Sequence, residues 1–397
     1  MEEYLARTYN NLKTGNFAKL TIVIGNESCD LDSAASSLVY AAYLYWQYQQ
    51  IKCKTCSKGY RDETFKDDLF VAVLNVNRED FPIKTEIGYC FDKHGVEKSH
   101  LVFRNDYDFE ELVKSQPTSV ILVDHHVLAR QDLFLAPYVT EIIDHRPKDK
   151  SAWNFKEDTR TTIEIVGSCC TLVGERIKHL STVLGKDVEF FQTHPICIEL
   201  LHSTIILDTA NFSKEYNKAT KKDEEIILFL ESFIEPFNYE ENRQCKHQQL
   251  QGAKSDVSAL TAAQLLRKDY KVFGPVFVPV FPILVEEVLQ KPHIKQALHD
   301  ALSTHGCKLA LLLGMRINTE EMSRDAALCC GEGSEDTVAE LKKMIEECKT
   351  PPFQLVPSSI KTDIQHCVYY KQLNLSATRK QYVPVCNAFI EMSKKKK

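Results

Sequence analysis

The sequence predicts an α/β protein in which a parallel-sheet domain is followed by a smaller α/β domain. Three observations point there. Strand-like and helix-like stretches alternate through the first half of the chain. The strand-like stretches are continuous apolar runs rather than alternating ones, as expected of parallel strands buried on both faces. A second set of strand-like runs follows a polar stretch beyond residue 212. The length of 397 residues suits two domains.

Taken in order, residues 20–25 (LTIVIG) read as a buried strand and residues 33–50 as a helix with Ser33 near its start. Residues 69–76 (LFVAVLNV) give a second strand, and 96–104 contain a third. SVILVDHH (119–126) and TEIIDHRP (140–147) are the fourth and fifth, and both end in charged residues. TIEIVGSCCTLVGERI begins as a strand and becomes a helix near Ser168. Its first N–H groups could hold an anion, or Ser168 could simply cap it. Pro195 opens a helix over 195–208 that ends at Asp208. SKEYNKATKKDEE is a polar exit from the first domain. The expected division is 1–220, a linker over 221–240, and a second domain over 241–393. Within the latter, 273–284, 308–317 and AALCC (326–330) read as strands.

Composition narrows the function. The chain is 44% hydrophobic and 26% charged, with a net charge of -6, so no overall basic footprint for nucleic acid exists. No apolar run approaches the length of a membrane span. The acidic start MEEYLARTYNNL lacks a secretory pattern, and 14 cysteines without one suit reduced thiols in the cytoplasm. Cys53 and Cys56 (CKTC) have the spacing of half a zinc site. No second half follows, so they read as a loop.

Chemistry concentrates at three strand ends: Asp30 and Asp32, then Asp124, His125 and His126, then Asp144 and His145. Parallel sheets bind ligands at the carboxyl ends of their strands, so separated motifs converge. Asp30, Asp32, Asp124, His145 and Asp208 gathered in one pocket would repel one another. Divalent cations remove that cost. Oxygen and imidazole ligands without thiolate favour Mn2+ or Mg2+, with Co2+ also suitable. Paired ions of this kind serve phosphoryl chemistry.

GNESCDLDS, VDHH, IDHRP and LDTANF, in this order, resemble the DHH phosphoesterase superfamily. The resemblance is strongest to prune-type exopolyphosphatases, relatives of family II inorganic pyrophosphatases. LLRKDYK (265–271) and SATRKQYVP (376–384) resemble the DHHA2 domain, so the likeness runs from about residue 20 to 390. It implies a DHH domain with two bound metal ions and a DHHA2 domain closing over it, with the active site in the cleft between them. By motif position it implies Asp30, Asp32, Asp124, His145 and Asp208 as metal ligands. The resemblance likewise implies Asp124, His125, His126 and Arg146 as the catalytic set, and Arg379 and Lys380 as a phosphate clamp, with Arg267 and Lys268 as further cations. Two departures from pyrophosphatases stand out. Asn26 occupies the place of a metal-binding histidine and offers an amide oxygen. Arg146 replaces a substrate-side histidine, while His126 is gained as a compensating ligand or phosphate donor.

These readings lead to a hydrolase releasing terminal phosphate from short inorganic polyphosphate. A cyclic-nucleotide phosphodiesterase using the same site is the alternative. So is a regulatory protein that mainly binds a partner, for which the resemblance implies nucleoside diphosphate kinase.

Overall fold

The computed structural model describes residues 1–55, 66–149, 155–234, 239–317, 322–331 and 333–395. Cys56 and the Cys53 side chain lie outside the described parts. The chain forms two compact units, Met1–Lys254 and Ser255–Lys397.

The first unit runs α1 (Glu2–Thr14), β1 (Leu20–Ile24), α2 (Leu31–Thr55), β2 (Leu69–Leu74), α3 (Thr85–Lys93), β3 (Val102–Phe103), α4 (Phe109–Ser115) and β4 (Thr118–Val123). It continues through β5 (Val139–Asp144), β6 (Arg160–Ile163), α5 (Cys169–Val183), α6 (Glu189–Thr193), α7 (Pro195–Asp208), α8 (Lys221–Glu231) and α9 (Tyr239–Ser255). Its six strands pair in parallel in the order β3-β2-β1-β4-β5-β6. Successive strand residues face opposite sides. Val23, Ile121, Val123 and Ile143 join one core with residues of α2, α5 and α7. Ile22, Ile24, Val71 and Leu122 join the core on the other face. Burial on both faces is why these strands are apolar without interruption. Most of α7 is buried as well, so it is apolar all round rather than on one stripe.

The polar stretch expected to be an exit and linker is built into this unit. Thr220 caps α8 through a capping box with Asp223. Asp223 also accepts from the Gly167 N–H at 2.8 Å and the Thr171 hydroxyl at 2.6 Å. Ile226, Ile227 and Leu230 enter the core. The linker expected over 221–240 is therefore helical in α8, and the compact division falls at Ser255.

The second unit runs α10 (Ala262–Lys268), β7 (Tyr270–Phe273), β8 (Val276–Phe281), α11 (Val285–Leu289), α12 (Ile294–Thr304), β9 (Leu309–Ile317), β10 (Met322–Cys330), α13 (Glu335–Glu346), β11 (Leu355–Ser358), β12 (Val368–Gln372) and α14 (Arg379–Lys395). Its sheet is ordered β11-β12-β10-β9-β8-β7, antiparallel except for the β8–β9 pair. Helices α10 to α12 pack on one face and α13 and α14 on the other.

Candidate metal centre

The strand order of the first sheet reverses between β1 and β4, which opens a crevice at their carboxyl ends. Asn26, Asp30 and Asp32 follow β1, Asp124 follows β4 and His145 follows β5. Asp208 closes α7. Asp124 takes a left-handed backbone, φ 61°, in the sharp turn after its strand. Such conformations are costly for a residue with a Cβ and cluster at functional sites.

Asp32, Asp124 and His145 form the group of three whose ligand atoms all lie within 4.8 Å of one another. His145 Nε2 is 3.3 Å from Asp124 Oδ1 and 3.8 Å from Asp32 Oδ2. Its Nδ1 lies 3.0 Å from the Val166 carbonyl oxygen. A ring that donates Nδ1–H to that carbonyl turns the Nε2 lone pair toward both carboxylates, an arrangement typical of a histidine metal ligand.

Hydrogen bonds hold the carboxylates of Asp32, Asp124 and Asp30. Asp32 sits on the N-terminus of α5. Its Oδ2 accepts from the Cys169 N–H at 2.7 Å, and its Oδ1 from the Cys170 N–H at 2.9 Å and the Ser168 hydroxyl at 3.0 Å. The anion at this helix start is thus the chain's own carboxylate, and Ser168 serves Asp32 rather than capping the helix. Asp124 Oδ2 accepts from the Ser33 hydroxyl at 2.6 Å and from Asn26 Nδ2 at 2.7 Å. Asp124 Oδ1 and Asp208 Oδ2 are buried without a hydrogen-bond donor. Asp30 Oδ1 caps α2 through the Ser33 N–H at 3.1 Å.

The electrostatics agree. Burial, then the charge of Asp32, pushes the Asp124 carboxyl up. Burial, then the charges of Asp32 and Asp30, pushes Asp208 well up. Burial works against a charge on His145, but contact with Asp124 and the charge of Asp32 outweigh it and raise its pKa. Bare buried oxygens, resisted ionisation and an inward-facing imidazole fit a divalent cation held by oxygen and nitrogen.

With this geometry in place, comparison with known proteins gives the family. A profile for the DHH family, N-terminal domain, matches residues 20–205, and one for the DHHA2 domain matches 248–389. Human exopolyphosphatase PRUNE1 is 32% identical over 391 residues, 97% of this chain and 78% of that protein. The chain belongs to the prune-type DHH family. Exopolyphosphatase PRUNE1 of Rattus norvegicus is 31% identical over 392 residues, covering 97% of this chain and 78% of the rat protein. The solved Methanococcus jannaschii protein described as a provisional family II inorganic pyrophosphatase aligns over 94% of this chain and 99% of its own, at 21% identity and a TM-score of 0.46.

Within this prune-type site, some expected residues take other roles. Asn26 is turned away from metal ligation: its amide oxygen accepts from the Ser28 N–H at 2.9 Å and the Ser28 hydroxyl, while its amide nitrogen serves Asp124. His126 is likewise engaged at both nitrogens, Nδ1 with Asp144 and Nε2 accepting from the Asp149 N–H at 2.8 Å. It braces the Asp144 strand end. His125 is buried, with Nδ1 2.9 Å from the Val123 carbonyl oxygen, and burial lowers its pKa. Arg146 stays half-exposed beside the centre, donating to the Asp124 carbonyl at 2.8 Å, with Nη2 3.2 Å from Asp124 Oδ1.

In the second unit, Arg379 and Lys380 open α14 and line a cavity of about 240 Å³ together with Arg324. Arg379 pairs with Asp269 at 2.8 Å and keeps Nη1 buried without a partner. Arg267 is exposed and Lys268 half-buried in the last turn of α10. The sequence does not show Ser33 as an Asp124 donor, Asp144 as a brace for His126, or that the anion at the α5 N–H groups is Asp32. The signal for Ser33 is its place at the start of the helix, directly after CDLD.

Proposed function

We propose that this chain is a divalent-metal-dependent hydrolase of phosphoanhydride bonds that releases terminal phosphate from short inorganic polyphosphate. The observation that carries the reading is the Asp32, Asp124 and His145 group, with the buried Asp124 Oδ1 bare of a hydrogen-bond donor and the Arg146 guanidinium alongside. The name of the human relative, an exopolyphosphatase, supports it. Asp32, Asp124 and His145, with Asp30 and Asp208 as the remaining ligands, would hold two ions, Mn2+ or Mg2+. Bound there, such ions neutralise phosphate oxygens and acidify water.

The chain's own groups do the rest. The α5 N-terminus fixes Asp32, and Ser33 with Asn26 fixes Asp124, so the ligands are oriented before substrate arrives. Arg146 presents a guanidinium fork to phosphate oxygens. Arg379 and Lys380 act on phosphates beyond the one attacked, with Arg267 and Lys268 as further cations. The reading places the enzyme in the cytoplasm. Among the described residues no helix is long and apolar enough to cross a membrane.

The test is phosphate release from triphosphate, tetraphosphate and pyrophosphate, with a cyclic mononucleotide alongside, after metal stripping and return of Mn2+, Mg2+ or Co2+. Activity on the linear substrates should return with metal. Asp124→Asn and Asp208→Asn should abolish it, and a near wild-type rate in either variant at saturating Mn2+ overturns the assignment. Arg379→Ala should lower kcat/KM on tetraphosphate roughly 10- to 150-fold, the worth of one charge-assisted contact. A high rate on the cyclic nucleotide alone selects the phosphodiesterase reading.

A further inference from the structure

Two thiols in the second unit stand in direct contact across neighbouring strands. Cys329 Sγ, near the end of β10, lies 3.2 Å from Cys367 Sγ, the residue before β12. The two strands are antiparallel neighbours, with Leu328 opposite Val368, so the cysteines extend the same ladder by one pair. Both side chains pack into the core shared with α10, α11 and α12. Cys330 points the other way, against the core of α13 and α14, as the pleat of a strand requires. The pair is therefore Cys329 with Cys367, and the adjacent thiol is excluded by direction.

We propose that Cys329 and Cys367 form a reversible cross-strand disulfide under peroxide. The environments of the two sulfurs differ in the way this chemistry needs. Cys329 is fully buried, whereas Cys367 is only half-buried. The Cys329 S–H donates to Cys367, and this hydrogen bond lowers the Cys367 pKa. The same bond, then burial, raises that of Cys329. The thiolate is the nucleophile in thiol oxidation, so Cys367 reacts first.

The Cys367 sulfur attacks one oxygen of hydrogen peroxide. The O–O bond breaks, a sulfenic acid forms and hydroxide leaves to take up the Cys367 proton as water. The Cys329 sulfur then attacks the sulfenic sulfur. The S–O bond breaks, the S–S bond forms, and the hydroxyl departs as water with the Cys329 proton. Two thiols are oxidised by two electrons, and one peroxide is reduced to two waters. A metal-binding role for the pair lacks a third ligand: among the described residues no His, Cys, Asp or Glu group of three gathers at these sulfurs. The disulfide would staple β10 to β12. That strand leads to Gln372, whose side chain holds the turn before Arg379 through the Asn374 and Ala377 carbonyls, both at 2.7 Å.

The experiment treats the full chain with a small molar excess of hydrogen peroxide, alkylates the remaining thiols and maps tryptic peptides with and without reductant. The expected product is a link between the peptide holding Cys329 and Cys330 and the one holding Cys367. It is lost on adding reductant. Cys330→Ser should keep the link, and Cys329→Ser should abolish it and leave a sulfenic acid at Cys367 trappable by dimedone. The wild-type map does not depend on how any variant folds. Linkage through Cys330, or oxidation of exposed Cys245 while Cys329 and Cys367 remain alkylatable, overturns the proposal.

Discussion

Ser33 is a small residue with three tasks. Its hydroxyl donates to Asp124 Oδ2 and accepts the Asn26 N–H at 3.1 Å, and its own N–H goes to Asp30. Gly25 makes room for it: a Cβ there would lie 2.6 Å from the Ser33 Cβ. Loss of a residue that orients a metal ligand costs roughly 10- to 100-fold in metal affinity. Ser33→Ala should therefore weaken Mn2+ binding to the metal-stripped protein by that order. It should cost only about 1 kcal/mol of stability, because Asn26 still donates to Asp124. Calorimetric titration with Mn2+ checks it, and an unchanged affinity would show that Asn26 alone positions Asp124. At this scale the sequence revealed ligands and hid their supports. Aspartates and histidines at apolar strand ends announce themselves. The N–H groups of Cys169 and Cys170 become visible as partners of Asp32 only when α2 and α5 pack side by side.

Helix α9 is fastened to its neighbours by charge. Arg243 grips Glu231 of α8 with two bonds of 2.6 Å, and Lys246 bonds Glu199 of α7 at 2.7 Å and lies 2.8 Å from His202 Nδ1. His94, after α3, faces this cluster. Burial comes first, opposed by Glu199 and aided by Lys246, Lys93 and His202, and its pKa falls from 6.5 to about 4. Between these values the unfolded chain takes up a proton that the native protein refuses. Stability from this group is therefore present above pH 6.5 and is lost as pH falls toward 4, by about 3 kcal/mol at most. His94→Gln should flatten the decline, measured as urea midpoints across that window. Equal slopes in both proteins would show that another group sets it. Several elements lack a strand or helix signature in the sequence because they bury little apolar surface. Strands β7 and β11 are largely exposed, so neither carries an unbroken apolar run. Helix α1 hides Tyr4, Leu5, Thr8 and Leu12 within a polar, acidic stretch. Parallel strands β1, β2, β4 and β5 were legible because burial on both faces leaves no other composition open to them. Residues 224–250 carry a helical pattern, and α8 reaches the core through Ile226, Ile227, Leu230 and the partly buried Phe229.

Each of the two units carries its own sheet and a core on either face of it. The ligand group lies wholly in the first, yet its members come from α2 and from the ends of β4 and β5. Those positions are scattered over a long stretch of chain, and an unfolded chain has no means of collecting them. An ion that binds only the native protein stabilises it by mass action, about 2.7 kcal/mol when its free concentration is a hundred times Kd. Thermal unfolding of the first unit should thus rise steadily with the logarithm of Mn2+ concentration, and the rise should vanish in Asp124→Asn. A Tm indifferent to Mn2+ in the wild type would remove the metal from this site. The dispersion of Asp32, Asp124 and His145 has a kinetic side too. Strands and helices must dock over long loops before any two ligands meet, and non-local contacts of that kind form late. Metal added during refolding should leave the folding rate unchanged and slow only unfolding, so the ion acts as a lock on a finished structure and not as a seed for it.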